Sequence, residues 1–156
     1  MRAANLVLIS VVAVLWGCTP STSVDRPAGW AQIDAKKFTF WVPPDVKAVP
    51  THGIDSYVGQ FKGEAIAFGF DYGFYSDPLE YSDRKDFTEK SEWIWGKKAK
   101  IVSFHNPRSD HPFDEAIAVH FPDTGTKGIK LTVFATCRTQ KDYDTARTIF
   151  RTIKFQ

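Results

Sequence analysis

Cysteine is scarce: Cys18 and Cys137 are the two among 156 residues. A small scaffold stapled by several disulfides is therefore excluded. A surplus of one charge is missing as well, since 20 Lys and Arg stand against 18 Asp and Glu. No basic block or stripe carries aromatics between its charges. The electrostatic footprint of a nucleic-acid binder is thus absent, and no nucleic-acid partner is expected. There is no internal repeat, low-complexity tract or second linker, so Trp30 to Gln156 reads as one folded unit. Long apolar runs are limited to one, "LVLISVVAVLWGC" from Leu6 to Cys18.

That run follows Met1 and Arg2, is broken only by Ser10, and turns polar after Cys18, which is the layout of a secretory signal. As a helix, Ala3 to Trp16 would reach roughly 21 Å at about 1.5 Å per residue, short of a hydrocarbon core of about 30 Å. Leu15, Trp16, Gly17 and Cys18 stand where bacterial lipoproteins carry an aliphatic residue, two further residues and a cysteine. In this segment the chain resembles those lipoproteins. The resemblance implies that residues 1–17 are a signal peptide, that Cys18 is lipidated through its thiol, and that the protein is a lipid-anchored membrane protein of the bacterial cell envelope. Its membrane contact would then be the N-terminal lipid, since two or more acyl chains give durable anchoring. The other reading of Cys18 is an incidental thiol left by a cut elsewhere, for example after Ser21, Thr22 and Ser23; it keeps the compartment and loses the anchor.

Without residues 1–17 the chain has nineteen basic and eighteen acidic residues, close to neutral. What remains is one domain's worth of chain, rich in aromatics, and long enough to bury about two thirds of its unfolded surface. Cys137 is then the only internal cysteine. It reads as a buried core thiol, with a reactive thiol as the other reading.

Residues 18–29 are rich in Pro, Gly and small polar side chains and read as a flexible tether; residues 30–156 form a single domain. Ile66, Phe68, Phe70 and Tyr72 alternate with Ala65, Ala67, Gly69 and Asp71, a strand with one bulky and one bare face. The bare face suggests that something packs closely there too. "SYVGQF" precedes this strand across a short hairpin. Phe38 to Val42 form an earlier strand, stopped by Pro43 and Pro44. Trp93 to Trp95 and Ala99 to Phe104 form a hairpin about Gly96. Ile117, Val119 and Phe121 lead through a Pro/Asp/Gly turn into Ile129, Leu131, Val133 and Ala135. Residues 75–92 read as a polar loop. Tyr143, Ala146, Phe150 and Ile153 recur at helical steps, with Asp142 as N-cap, and Ile153 and Phe155 can start a last strand.

A phenylalanine-rich strand running into "VPP", a hairpin with "WGKKAKIVSF", the strand "KLTVFATC" and the ending "TARTIFRTIKF" resemble the Mog1/PsbP-like and DcrB-like envelope lipoproteins. The resemblance implies an α+β fold: an antiparallel β-sheet of hairpins packed against helices, as in the Mog1/PsbP-like sandwich, with a C-terminal helix. It also implies a binding or assembly factor without catalysis, an inference by analogy.

Motifs for chemistry are missing. Ser56 in "DSYVG" lacks the preceding glycine of a nucleophile elbow. If the late hairpin turns near Gly125, residues summing to about 250 face each other. His120 then lies opposite Lys130, on the other face from Cys137, which argues against a cysteine dyad. His52, His105, His111 and His120, with Asp110 and Asp114, do not show zinc spacing, and the acidic run from Asp71 to Asp86 lacks the calcium-loop register. No metal and no cofactor is expected. The remainder is aromatic and acidic. Asp55, Tyr57, Asp71, Tyr72, Tyr75, Trp93 and Trp95 make up a candidate ligand surface, because Tyr and Trp beside carboxylates stack on sugars or anchor a protein partner. Core filling by Tyr72 and the tryptophans is the competing reading.

The leading expectation is a membrane-anchored, non-catalytic envelope lipoprotein that binds a protein or small ligand, with an envelope protein as a candidate partner. The alternative is an envelope enzyme acting on glycan or lipid through carboxylates such as Asp55 and Asp71, which would need the two to face each other across a cleft. A structural tether or stabilising subunit is a third reading.

Overall fold

The computed structural model describes residues 21–105 and 115–156. Phe38 to Val42 alternate buried and half-buried side chains, so this strand, β2 (Phe38–Val42), aims Phe38, Phe40 and Val42 one way. It pairs antiparallel with β1 (Ala31–Asp34) and β10 (Lys154–Phe155) in a three-stranded sheet. The second sheet has seven strands: β3 (Lys47–Val49), β4 (Tyr57–Lys62), β5 (Ala67–Gly73), β6 (Thr88–Ile94), β7 (Lys97–His105), β8 (Glu115–Phe121) and β9 (Lys130–Cys137). Their spatial order is β3-β4-β5-β9-β8-β7-β6, with every neighbour antiparallel.

The core lies between the two sheets. Phe61, Phe68, Phe70, Leu131, Val133, Ala135, Val119 and Ile101 project from the inner face of the large sheet toward Phe38 and Phe40. Edge-on ring pairs recur there, with Phe38 and Phe70 at 5.1 Å and Phe40 and Phe61 at 5.4 Å. Gly59 pairs with Phe70 across the strands, and the ring lies over its Cα. A Cβ at Gly59 would come within 2.3 Å of that ring.

The only helix among the described residues, α1 (Gln140–Arg151), completes this layer with Ala146, Ile149 and Phe150. Its N-cap is Thr139 rather than Asp142. Asp142 is the third helical residue of a capping box: its N–H donates to Thr139 Oγ1 at 3.2 Å, and its carboxylate accepts the Thr139 N–H at 3.0 Å. At the other end the Thr152 hydroxyl donates to the Ile149 carbonyl and accepts the Trp41 N–H at 2.9 Å, tying the helix to β2.

The expected α+β sandwich, a sheet of hairpins between helices, is therefore corrected. The fold is sheet-dominated, with one helix among the described residues, and the three-stranded sheet fills the place expected of a helical layer. Phe38, Phe40 and Val42 explain this, because an apolar face of period two covers a sheet as a strand does. The segment read as a polar loop also contains most of β6, whose "TEKSE" pairs with β7 through its backbone.

Glu92 on that edge strand is buried and faces α1. Arg147 Nη2 lies 2.7 Å from its Oε1; Arg151 donates from Nη2 to Oε1 and from Nε to Oε2, each at 2.9 Å; the Thr22 hydroxyl donates to Oε2 at 2.8 Å. Burial pushes the carboxyl pKa up, but the bonds from Arg151, Arg147 and Thr22 outweigh it and hold the pKa at about 2.

Candidate functional site

The outer face of the large sheet carries one polar row across five strands. By register, Asp71 of β5 faces Thr132 of β9, Thr132 faces His120 of β8, His120 faces Lys100 of β7, and Lys100 faces Ser91 of β6. The chain after β5 folds back over this row. The Ser76 hydroxyl lies 2.9 Å from the Asp71 carbonyl and 2.8 Å from Thr132 Oγ1, and Thr132 donates to the Asp77 carbonyl at 2.6 Å. Thr132 Oγ1 thus has lone pairs left for Nδ1–H of His120 at 2.8 Å. Burial first, then the charges of Lys100 and Lys130, push the His120 pKa down against a smaller opposing effect of Asp77. His120 is a neutral histidine bonded through Nδ1 to the network of Thr132, Ser76 and the Asp77 carbonyl.

Leu79 anchors the covering segment. Its side chain is buried with Val102 and Ala118, its N–H donates to Asp77 Oδ1 at 2.7 Å, and its φ of 58° is left-handed. A branched residue in that region is strained, and the packing around Leu79 holds it there. The Tyr81 hydroxyl bonds to Asp77 Oδ2; that bond, then burial, raises the Tyr81 pKa to about 12. Arg84 lies over the Tyr81 ring at 5.7 Å, and the ring meets Phe104 edge-on at 5.3 Å.

Between this segment and the sheet runs a groove of about 460 Å³, with Asp71, Tyr81, Arg84, Phe104 and Phe134 in its lining. Two features make it a candidate binding site. Asp71 Oδ1 is buried and has no hydrogen-bond partner within the described chain. Phe134 is 52% exposed although it sits mid-strand, and its ring lies over Gly69, where a Cβ would approach it to 3.1 Å. A second depression of about 270 Å³, with Gln60, Lys62, Ala67 and Thr136 in its lining, lies on the other side of Phe134. Small side chains on the bare face therefore leave a shallow apolar trough, with the Asp71 oxygen that has no partner among the described residues at its edge.

The seven residues of the expected ligand surface do not come together. Asp71 is on the outer face. Tyr72 points the other way into the core, its ring stacked with Phe38 at 5.9 Å and 8% of it exposed, so it is a core residue rather than part of a surface. Asp55 is exposed in the loop before β4, and Tyr57, at the start of β4, meets Phe70 edge-on at 5.2 Å. Tyr75 is exposed where the covering segment begins. Trp93 and Trp95 lie at β6, four strand positions from β5 and so about 19 Å away at roughly 4.8 Å per strand. Cys18, His111, Asp110 and Asp114 lie outside the described residues. Among the described residues no group of three or more His, Cys, Asp or Glu could hold a metal ion.

The late hairpin is two residues out of the expected register, since His120 faces Thr132 and not Lys130. A shift of two keeps every side chain on its face, so His120 and Cys137 remain on opposite sides of the sheet. Cys137 is in the core, where burial, then Asp142 and Glu115, push its thiol up to about 12.

Sequence reasoning did not single out Phe134, Thr132 or Ser76. A signal for Phe134 was present: once Leu131, Val133 and Ala135 define the core face, the same alternation puts Phe134 between Thr132 and Thr136 on the polar one. Ser76 and Tyr81 meet the sheet only through the path of a loop, which no periodicity encodes.

No family model matches the chain, and no curated protein matches it. Among solved structures it is similar to the solution structure of cyanobacterial PsbP (CyanoP) from Synechocystis sp. PCC 6803. The TM-score is 0.55 at 13% identity, over 90% of this chain and 99% of that one. The fold is therefore PsbP-like. Among the described residues no helix is long and apolar enough to cross a membrane.

Proposed function

We propose that the chain is a lipid-anchored protein of the bacterial cell envelope that binds a small ligand or a protein partner, without catalysis, on the outer face of its large sheet. The observation that carries this reading is the trough around Phe134 with the unpartnered Asp71 oxygen beside it. Buried polar atoms are nearly always hydrogen-bonded, so a free acceptor beside an open apolar surface suits a ligand that brings an N–H or O–H donor. The reactive side chains support a role without chemistry. His120 is neutral and bonded to Thr132, and the Cys137 thiol is in the core with its pKa raised. Anchoring draws its support from the signal layout that ends at Cys18.

No observation favours a carboxylate enzyme. Asp55 is not in the lining of the groove. The other acid there, Asp77, accepts the Leu79 N–H at one oxygen and bonds the Tyr81 hydroxyl at the other.

The test is co-purification from cross-linked membranes, comparing the wild type with Phe134→Ala and Asp71→Ala, which removes the acceptor. The expected outcome is a ligand or partner retained by the wild type and lost from both variants; equal recovery with all three would place binding elsewhere. Radiolabelled palmitate should enter the wild type and not Cys18→Ser. Equal labelling of the two would refute the anchor.

A further inference from the structure

The described chain begins against two exposed tryptophans. Ser21 to Val24 run along the edge of β6: the Thr22 N–H donates to the Trp93 carbonyl at 2.8 Å, the Trp95 N–H donates to Ser23 Oγ at 2.6 Å, and the Val24 N–H donates to the Arg151 carbonyl at 2.9 Å. The segment expected to be a free tether is thus fastened to the domain over these residues. From Cys18 to Ser21 a fully extended chain reaches at most about 11 Å. A bilayer holding lipid on Cys18 would therefore lie close to the tip of the β6–β7 hairpin.

That tip is unusual chemically. Trp95 (φ 46°) and Gly96 (φ 77°) both take left-handed backbone in the two-residue turn between β6 and β7. Such turns favour Asn-Gly, and a bulky residue at the first position is strained. Nothing in the core repays this, since Trp95 is 37% exposed and Trp93, on the outer face of β6, is 41% exposed. Both belong to neither core cluster. Three lysines stand around them, with exposed Glu89 farther along the same face of β6. Lys154 Nζ sits 4.9 Å from the Trp95 ring centre, exposed Lys98 pairs across the ladder with Trp93, and Lys97 is bonded to Asp123 at 3.0 Å. Glu92 is already matched by Arg147 and Arg151.

We propose that Trp93, Trp95, Lys98 and Lys154 form a membrane-contact surface that rests the domain on an anionic bilayer. This rests on the anchoring reading above and adds an orientation to it. Tryptophan favours the headgroup layer, where its ring is buried and its N–H is wet, and each lysine near an anionic surface adds attraction. A short tether raises the local concentration of the bilayer, so a contact too weak to recruit a free protein suffices to orient an anchored one. Phe134 lies three strand positions from β6, about 14 Å at roughly 4.8 Å per strand, so the trough would stand clear of the lipid, open to solvent.

The test uses the full chain purified from a host that processes lipoproteins, reconstituted in phosphatidylcholine vesicles with about one third phosphatidylglycerol and brominated acyl chains. The mass of the N-terminal peptide shows whether Cys18 carries lipid. In the lipidated protein, fluorescence should fall by roughly half, two of the four tryptophans outside the leader being at the interface. Trp93→Phe with Trp95→Phe should abolish the fall, and Lys98→Glu with Lys154→Glu should weaken it in anionic vesicles while leaving all four tryptophans in place. A lipidated wild type that is not quenched, or quenching that persists in the tryptophan variant, overturns the contact surface and leaves the anchor standing. A peptide without lipid overturns the anchor and this surface with it.

Discussion

Neutralising Glu92 should loosen the edge of the sheet, and pH should reveal why. The carboxyl falls from an ordinary 4.5 to about 2 because two arginines and Thr22 bond its charged form more strongly than burial penalises it. At about 1.4 kcal/mol per pKa unit this corresponds to about 3 kcal/mol. Both arginines are partly in water, which screens them, so a net ~1–2 kcal/mol is the better expectation. Because the folded pKa is depressed, this stabilisation is fully present above pH 4.5 and is lost as pH falls toward 2. Glu92→Gln keeps the shape, removes the charge and leaves Arg147 and Arg151 facing each other uncompensated. Its thermal midpoint at pH 7 should lie roughly 5–10 °C below that of the wild type. Urea melts of the two chains between pH 7 and 2 provide the assay. The stability gap should be constant down to about pH 5 and close as pH approaches 2. A gap of the same size at pH 2 and pH 7 would refute the claim that the arginines hold the carboxylate in its charged form. Since Thr22 bonds the same carboxylate, the variant should also be cut faster by protease between Thr22 and Arg26 at pH 7.

Gly59→Ala should lower stability by about 1–3 kcal/mol in urea melts, because its Cβ would enter the Phe70 ring; a neutral effect would mean that the ring swings away freely. Cys137 should resist aromatic disulfide reagents at pH 8 in the native protein and react at once in urea; comparable rates in both would contradict its burial and its pKa of about 12. Thr132→Val removes the shared partner of Ser76 and His120 and should cost about 1–3 kcal/mol, whereas a change near zero would show that water replaces it.

The sheet was legible where one face is buried. Phe68, Phe70 and Tyr72, Ile117 with Val119, Leu131 with Val133 and Ala135, and Phe38 with Phe40 all announce strands by period two, and the structure places them in β5, β8, β9 and β2, with the β8–β9 register two residues from the expected one. Legibility failed at the edges. Ala31–Asp34 is mostly exposed and Lys47–Val49 wholly so, so they are strands through backbone pairing that leaves no hydrophobic signature. The helix was readable from Ala146 and Phe150, but its first residue depended on which member of Thr139 and Asp142 caps the other, which needs the backbone path. The candidate site was the least legible part. Its unpartnered oxygen is a property of what fails to surround Asp71, and its loop contacts join residues up to 56 positions apart.

The bare face of β5 links these levels. Alanine and glycine there could serve a closely packed second layer, yet the covering segment reaches only the side of Leu79 and Tyr81. On the other side the same small residues let the Phe134 ring reach over Gly69 with 52% of the residue exposed. An aromatic side chain offers about 200 Å² when fully buried, so roughly 100 Å² remains to be covered, worth ~2.5 kcal/mol at about 25 cal/mol per Å². That is close to two powers of ten in affinity from one residue that contributes little to the fold. The imbalance has a direct consequence. Phe134→Ala should leave the melting curve nearly unchanged and weaken ligand capture by more than tenfold, whereas a large loss of stability with capture intact would make Phe134 a packing residue and remove the trough as a binding site.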